Sequence, residues 1–422
     1  MIESILGERR IGAAVRAAAE TALPRLLHED PRRRAVRMRV LEAFLAEGVA
    51  ESDLAGSTGY GYDDAARERY ESLLARVFRA ERVLARLSIV SGTHAIVAAL
   101  DALLVPDQLL LCANGAPYDT LRYALAEAPH ALVARGVRYA EVERTLTGDT
   151  DLGALIDALR SDPPAVLFVQ RSRGYASRRS LSIDAIERIV DIASEHAPAT
   201  IVFVDNCYGE LVEEREPLEI GADVIAGSLI KNVGGGLAPT GGYIAGREEL
   251  LDRIAARVFA PGIGAGLGPS LGLGRTLMQG LFYAPLVVGE ALRGLDFAAS
   301  LFALLGFTVD PLPGELRTDI VQAIRLGSRE RLIAFARGLQ TALPINARFM
   351  PEPGPVPGYV DPVIMSSGSF ISGSTIDLSC DAPLRAPWDV YLQGGIVAEH
   401  VALGAMLAAD AVYSGTSSPM NP

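Results

Sequence analysis

The chain has 422 residues, of which 50% are hydrophobic and 21% are charged, a composition typical of a globular protein with a large core. Its net charge of −12 argues against nucleic-acid binding, because a protein that binds the phosphate backbone needs a basic face. No apolar stretch reaches the length that spans a bilayer, and the charged start Met1–Arg10 lacks the apolar core of a signal peptide. We therefore expect neither nucleic acid nor membrane as a partner.

The cysteines and histidines indicate neither a disulfide framework nor a metal site. Cys112, Cys207 and Cys380 share no CxxC spacing, which suits a reducing cytoplasm and argues against a disulfide framework. The five histidines form no HxxH or HExxH pattern. We expect a cytoplasmic protein without a metal site.

The first elements in the chain are predicted helices. Apolar residues recur at helical spacing in Ile11–Leu23 and Ala35–Leu45. After a turn rich in Gly and Tyr, Asp63 is the predicted N-cap of a helix that ends at Phe78. We assign residues 1–55 to an N-terminal helical segment.

Short apolar runs then alternate with amphipathic helices. The predicted strands are rich in Val, Ile and Leu and are followed by Gly, Asn, Ser or Asp: Leu84–Val90, Gln108–Ala113, Ala165–Gln170, Thr200–Asp205, Asp223–Ser228 and Gly242–Ala245. This pattern is typical of buried, mostly parallel strands joined by crossover helices. It predicts a large, doubly wound α/β domain over residues 56–290, with its site at the carboxyl ends of the strands. A smaller α+β domain is predicted over residues 291–422.

One basic residue differs from all the others. Of the 39 Lys and Arg residues, only Lys231 is a lysine. Arginine stays protonated, whereas lysine can lose its proton and form an imine. Lys231 follows a predicted strand and precedes three glycines, which places its amine in the cleft at the sheet edge. A surface lysine in a turn is the alternative, and the neighbouring residues decide between the two.

An imine lysine suggests pyridoxal phosphate (PLP), which also requires an acid for its pyridine nitrogen, a phosphate cradle and a wall against its ring. Asp205 ends the strand before the one that leads to Lys231, where it would hold the pyridine nitrogen protonated; a helix N-cap is the alternative. Ser91, Gly92 and Thr93 join a strand to an apolar helix, and small residues there let amide groups bind a phosphate. A capped turn without a ligand has the same pattern.

Three further residues complete the candidate site. Ser228, three residues before Lys231, offers another hydroxyl for the phosphate. Tyr118 follows a predicted strand and is a candidate to stack on the pyridine ring, or only to pack on the sheet edge. Arg385, in the predicted small domain, is a candidate clamp for the carboxylate of an amino-acid substrate, since guanidinium binds carboxylate through two hydrogen bonds.

Three long strings, Asp205–Leu211, Ala226–Asn232 and Gly234–Gly246, closely resemble the methionine gamma-lyase family, whose members are often labelled cystathionine beta-lyase-like or aluminium-resistance proteins. Shorter strings extend the resemblance across residues 50–405: Val90–Ile96, Pro117–Leu121, Gln170–Tyr175 and Tyr391–Gly395. The chain has Val233 where the family pattern has proline, a position without a chemical role.

The resemblance implies a fold-type I, PLP-dependent transferase-like fold and a homodimer or homotetramer. It implies that Lys231 forms the imine and that Asp205 is the pyridine acid. For the other roles it implies phosphate binding by Gly92, Thr93 and Ser228, ring stacking by Tyr118 and carboxylate binding by Arg385. Tyr60 and Tyr62 occupy the place of a family segment that reaches the phosphate of the neighbouring subunit.

The favoured function is cleavage of a carbon–sulfur bond in a sulfur amino acid by β- or γ-elimination. Transamination, aldol cleavage and desulfuration on the same scaffold stay open, as does PLP binding without catalysis. A desulfurase needs a cysteine on a mobile loop, and Cys380 is the one cysteine outside the predicted sheet region. Nucleotide binding by the glycines of residues 234–242 is disfavoured, because no GxGxxG follows the first strand.

Overall fold

The computed structural model describes residues 1–414. One compact unit is Arg34–Pro285; the other joins Met1–Arg33 to the chain from Leu286 onward. The boundaries predicted at residues 55 and 290 rest on sequence pattern alone and stay predictions.

The elements are numbered in chain order. The α-helices are α1 (Ile2–Leu6), α2 (Ala13–Leu27), α3 (Arg32–Glu47), α4 (Ala65–Phe78), α5 (Gly92–Leu103), α6 (Asp119–Arg122), α7 (Leu152–Ser161), α8 (Ile183–His196), α9 (Glu248–Val258), α10 (Gly274–Leu304), α11 (Arg329–Gln340) and α12 (Ala398–Ser414). The strands are β1 (Arg82–Arg86), β2 (Leu109–Cys112), β3 (Arg138–Glu141), β4 (Val166–Gln170), β5 (Ile201–Asp205), β6 (Val224–Ser228), β7 (Gly242–Gly246), β8 (Thr308–Asp310), β9 (Val321–Arg325), β10 (Val363–Ser367), β11 (Ser379–Pro383) and β12 (Asp389–Gln393).

Arg34–Pro285 is built on a seven-stranded sheet in the order β1-β7-β6-β5-β4-β2-β3. β6, β5, β4, β2 and β3 pair in parallel, each with its neighbour in the sheet. β7 pairs antiparallel with both β6 and β1. The prediction of a mostly parallel sheet is therefore confirmed. β2, β4 and β6 are buried along their whole length, which is why they appear in the sequence as unbroken apolar runs.

Three details differ from the sequence prediction. β1 lies at Arg82–Arg86 instead of Leu84–Val90, because the chain turns after Arg86 and the Ile89 N–H donates to the Arg86 carbonyl. β3 was not predicted, because it is a half-exposed edge strand without an apolar run. The cap of α4 is Asp64, whose side chain accepts from the Arg67 N–H at 2.9 Å, whereas Asp63 has a left-handed φ of 53°.

The core of this unit lies between the sheet and its helices. α5 packs on β6 and β7 and against α9. On the sheet, the rings of Phe168 and Phe203 lie 5.8 Å apart between centroids and are fully buried. Burial of one such side chain stabilises the fold by about 2–3 kcal/mol. This packing fixes the strand ends from which the candidate site residues project.

The other unit carries a five-stranded antiparallel sheet in the order β10-β11-β12-β9-β8. α11 and α12 pack together, and α11 lies on β10 and β11. α1 and α2 pack against α12, so the first helices of the chain belong to this unit.

Within residues 1–414, no helix is both long and apolar enough to cross a bilayer. The same residues contain no group of three His, Cys, Asp or Glu side chains arranged to hold a metal ion.

Candidate active site

Two neighbouring parallel strands end on candidate site residues. β5 ends at Asp205 and β6 ends at Ser228, and the two strands pair directly, with Asp205 opposite Ala226. Because both strands run in the same direction, their carboxyl ends meet at one edge of the sheet. Lys231 follows the end of β6 at this edge.

Asp205 is a buried acid at the end of β5. The Cys207 N–H donates to its Oδ1 at 3.1 Å, and none of the ion pairs described for residues 1–414 includes Asp205. Burial raises the pKa of Asp205 to about 6, although the Cys207 amide and the charge of Lys231 act against the rise. A cationic group beside this carboxylate would favour its charged form. These surroundings fit a protonated ring nitrogen.

Lys231 is half-buried at the start of a short 3₁₀ turn, Asn232–Gly234. Its Nζ lies 4.0 Å from the centre of the Tyr208 ring, within cation–π distance. Burial acts to lower the pKa of the Lys231 amine, but Tyr208 and Cys207 together outweigh burial and hold that pKa above its ordinary value. The unmodified side chain is therefore an ammonium group on the face of a tyrosine.

Asn232 fastens the Lys231 turn to the segment after Asp205. Its Nδ2 donates to the carbonyl oxygens of Tyr208 at 2.9 Å and of Glu210 at 2.8 Å. Tyr208 has a φ of 71°, in the left-handed region that bulky residues rarely adopt. Such strain at a sheet edge is typical of functional sites. No pattern in the sequence predicts a role for Tyr208 or Asn232.

The start of α5 lies against the same edge. The Ser91 hydroxyl caps this helix by accepting from the His94 N–H at 3.0 Å. A Cβ at Gly92 would lie 2.9 Å from the Cys207 Sγ and 3.4 Å from the Ser228 nitrogen, so only glycine fits without a shift. The first amides of a helix have no partner within it and attract anions. The helix start at Gly92 and Thr93 therefore fits a phosphate beside Ser228.

Tyr118 joins this group through its hydroxyl, which lies 2.8 Å from the Thr93 Oγ1. Its ring is partly buried and packs on the core. Burial and the charge of Asp205 raise the pKa of Tyr118 well above its usual value. Proton donation to a leaving sulfur is helped by a lowered tyrosine pKa, and the described neighbours of Tyr118 do not provide one. Contact with a ring is the role that this position supports directly.

Two residues without a role in the sequence analysis hold Tyr118 in place. The Gln170 Oε1 accepts from the Tyr118 N–H at 2.9 Å, and the Gln170 Nε2 donates to the Ser172 carbonyl at 2.8 Å. Arg178 is buried and donates to main-chain carbonyls in the segments that follow β2 and β4, those of Asn114, Ala116, Ser172 and Arg173, at 3.0–3.3 Å. Gln170 lies in the string Gln170–Tyr175 that resembles the family, whereas no local pattern marks Arg178.

Tyr60 and Tyr62 are the most solvent-exposed of the predicted site residues. Their side chains are 75% and 61% exposed, and no contact described in residues 1–414 joins either of them to Lys231 or Asp205. Their loop is nevertheless fixed, because the Asp64 carboxylate accepts hydrogen bonds from Ser57 and from Ser270.

Arg385 belongs to the other compact unit, in the connection between β11 and β12. Its Nη1 lies 3.5 Å from the Asp361 Oδ2, and both side chains are about one-third exposed. A partly exposed ion pair of this length contributes little to stability, so exchanging Asp361 for a substrate carboxylate would cost little.

The chain is similar to proteins of several bacteria. It is 44% identical over 367 residues to the uncharacterized protein YnbB of Bacillus subtilis strain 168, which covers 86% of this chain and 87% of that protein. A carbon–sulfur lyase involved in aluminium resistance, from Clostridium novyi, has a solved structure with a TM-score of 0.89 and 39% identity, over 95% of this chain and 96% of that one. A Clostridium acetobutylicum structure, named for cystathionine beta-lyase and aluminium resistance, gives a TM-score of 0.92 and 40% identity, over 97% and 98%.

A more distant structure, cystathionine gamma synthase of Xanthomonas oryzae, has a TM-score of 0.64 at 16% identity over 90% of this chain and 99% of that one, which shows a shared fold alone. The prediction of a fold-type I architecture is confirmed. A family model described as methionine gamma-lyase matches residues 12–413. With that match and relatives of 39–44% identity along most of its length, this chain belongs to the methionine gamma-lyase family of PLP-dependent enzymes.

Proposed function

We propose that this protein is a carbon–sulfur lyase that releases a thiol from a sulfur amino acid by β- or γ-elimination. The observation that carries the proposal is the position of Lys231 beside the buried, unpaired acid Asp205 at one sheet edge, in a chain of the methionine gamma-lyase family. The carbon–sulfur lyase of Clostridium novyi supports the same reaction class through its similarity over nearly the whole chain.

The described residues fit PLP. Lys231 would carry the cofactor, and Asp205 would hold the proton of the pyridine nitrogen. The phosphate would bind at the start of α5, where Gly92 leaves the space that a Cβ would fill, with Thr93, Ser91 and Ser228 around it. The Tyr118 ring would pack on the pyridine ring. When bound, PLP supplies an electron sink for negative charge at the α-carbon of the substrate.

The chain's own residues then have defined tasks. The Lys231 amine would be the base that takes the α-proton of the substrate. The Asp205 carboxylate would keep the ring nitrogen of PLP charged. Arg385 would bind the substrate carboxylate and so orient the side chain that leaves. Thr93 and Gln170 hold Tyr118 in one position, which keeps the wall of the site rigid.

The structure weakens one alternative. Cys380, the candidate thiol for desulfuration, is fully buried in β11 and not on a mobile loop. Burial raises the pKa of the Cys380 thiol well above its ordinary value, which disfavours the reactive thiolate.

A substrate panel tests the proposal. The holoenzyme is incubated with cystathionine, cysteine, methionine and homocysteine, while 2-oxo acid and thiol are measured. Pyruvate with a thiol indicates β-elimination, and 2-oxobutanoate with a thiol indicates γ-elimination. Efficient amino transfer to a 2-oxo acid, with no thiol from any substrate, would overturn the lyase assignment and leave the PLP assignment intact.

Replacing Arg385 with alanine should raise KM about 10–100-fold for every amino-acid substrate, because a charge-assisted hydrogen bond contributes about 1.5–3 kcal/mol. Steady-state kinetics checks this. Arg325→Ala is the matched control, since it removes a guanidinium that pairs with Asp389 on the same sheet, and it should leave KM unchanged. An unchanged KM in Arg385→Ala would remove Arg385 from the substrate site.

Tyr118→Phe should lower kcat about tenfold with a smaller change in KM, because the ring stays but loses the hydrogen bond to Thr93 that positions it. Tyr123→Phe, at an exposed tyrosine on the following turn, should behave as the wild type. If kcat is unaffected in Tyr118→Phe, the hydroxyl has no part in catalysis and the ring acts only as a wall.

The active unit should be at least a dimer in which Tyr60 and Tyr62 complete the neighbouring site. Their exposure and the rigid loop beneath them support this arrangement, and two-fold dimers are the commonest symmetric assembly. Mixing a Lys231→Ala chain with a Tyr60→Ala/Tyr62→Ala chain should restore about one quarter of wild-type activity, since half of the dimers then hold one intact site. A fully active monomer in sedimentation experiments would exclude the idea.

A further inference from the structure

Glu210 is a fully buried acid in the turn after β5, and the tasks described so far do not use it. Its Oε1 accepts a hydrogen bond from the Tyr243 hydroxyl at 2.9 Å, and its Oε2 is buried without a hydrogen-bond partner. A Cβ at Gly227 would lie 2.6 Å from the Tyr243 hydroxyl, so this pair lies directly against the strand that leads to Lys231. Asn232 ties the Glu210 carbonyl to the Lys231 turn.

The groups around Glu210 offset a negative charge only in part. The titratable groups that interact electrostatically with Glu210 are Tyr243 on β7, Cys207 and Glu216 on the same segment, and Lys231. No ion pair described in residues 1–414 includes Glu210. Burying a charged carboxylate with an unpartnered oxygen costs much more free energy than burying the neutral acid. Burial first, and then the charge of Glu216, raises the pKa of Glu210 to about 8, although a hydrogen bond from its own backbone amide, the Tyr243 hydroxyl and the charge of Lys231 act against the rise.

We propose that Glu210 is a neutral acid at neutral pH and that its ionisation, acting through Lys231, sets the alkaline limit of the reaction. Glu210 is thus a positioning residue that keeps the charge around the lysine amine low. An anion at Glu210 favours the ammonium form of Lys231, and an ammonium group cannot accept the α-proton. No proton passes between Glu210 and the substrate; the proton lost at high pH goes to solvent. The claim that Glu210 sets the alkaline limit rests on the proposed lyase function, whereas the claim that Glu210 is protonated at neutral pH does not.

Infrared spectroscopy of the holoenzyme tests the protonation state directly, without any substrate. The difference spectrum between the wild type and Glu210→Gln should contain the carbonyl stretch of a protonated carboxylic acid at pH 7, and this band should disappear with a midpoint near pH 8. Glu214→Gln makes the same chemical change at an exposed position of the same segment and should not remove the band. A carboxylate signal from Glu210 at pH 7 overturns the proposal.

The pH dependence of kcat tests the coupling to Lys231. Wild-type kcat should fall up to about tenfold from pH 7 to pH 9, as one ionisation near pH 8 requires. In Glu210→Gln the fall of kcat at alkaline pH should move to higher pH, and in Glu214→Gln it should stay at the wild-type pH.

Tyr243→Phe removes the one side-chain donor to the Glu210 carboxylate, so the alkaline fall of kcat should also move to higher pH in this variant. This variant provides a test if Glu210→Gln does not fold. If kcat falls at the wild-type pH in both Glu210→Gln and Tyr243→Phe, the coupling between Glu210 and Lys231 is overturned. Absence of lyase activity would instead refute the proposed function and leave the infrared result to stand.

Discussion

Replacing Lys231 with alanine is expected to abolish covalent attachment of PLP and to lower kcat at least about 10³-fold, because the variant loses both the attachment point and the base for the α-proton. No other lysine exists in the chain to take over either task. Lys231→Arg should fail as well, since guanidinium does not form an imine. The visible absorbance of the purified protein and its steady-state rate measure the two losses separately.

A lysine introduced elsewhere in the chain provides the control for the position of Lys231. Arg253 is exposed on α9, and Arg253→Lys in the Lys231→Ala background adds a lysine away from the strand edge. We expect no recovery of activity in this double variant, whereas Arg253→Lys alone should behave as the wild type. Turnover by Lys231→Ala at more than a small fraction of the wild-type rate would contradict the assignment of the base.

Asp205→Asn is expected to lower kcat about 10²–10³-fold, the usual cost of removing one charged group that stabilises charge in a buried site. Asparagine keeps the shape of the side chain but cannot hold the pyridine nitrogen in its charged form. Burial raises the pKa of Asp205 to about 6 in the protein without a cofactor, so the charge is unfavourable there unless a cation lies opposite. The folded chain should therefore lose little stability, and the loss should appear in kcat.

The control for this variant is an acid at the opposite end of the same strands. Asp223 precedes β6 and accepts from the Val202 N–H at 2.7 Å. Asp223→Asn should retain catalysis, and thermal unfolding of both variants should show that any difference in rate is not a difference in folding. A wild-type rate in Asp205→Asn would make Asp205 a structural residue.

The strands that carry the site were predictable because they are buried. β4, β5 and β6 are each an apolar run that ends on a polar residue, and this polar residue marks the sheet edge. Lys231 was identifiable from composition together with its neighbours, since it is the single lysine among 39 basic residues and follows a predicted strand. Gly92 was identifiable as a small residue at a helix start, and its contact with Cys207 explains why it is small.

The rest depends on contacts between distant parts of the chain. Tyr208 and Glu210 follow Asp205 in sequence, but only the fold shows one beneath the Lys231 amine and the other paired with Tyr243. Arg178 is one of many arginines, and nothing local distinguishes a buried clamp on main-chain carbonyls from a surface charge. β3 pairs at the sheet edge through its backbone, so its half-polar sequence carries no strand pattern.

The most direct test of the account is to locate the cofactor on the chain. The holoenzyme is reduced with borohydride, digested and analysed by mass spectrometry, which reveals any residue that carries reduced pyridoxal phosphate. We predict a single modified residue, Lys231, at close to one cofactor per chain, and no modification in Lys231→Ala. Release of all the cofactor unbound after reduction, or attachment only at the N-terminal amine, would contradict the assignment of Lys231 and with it the mechanism built on this residue.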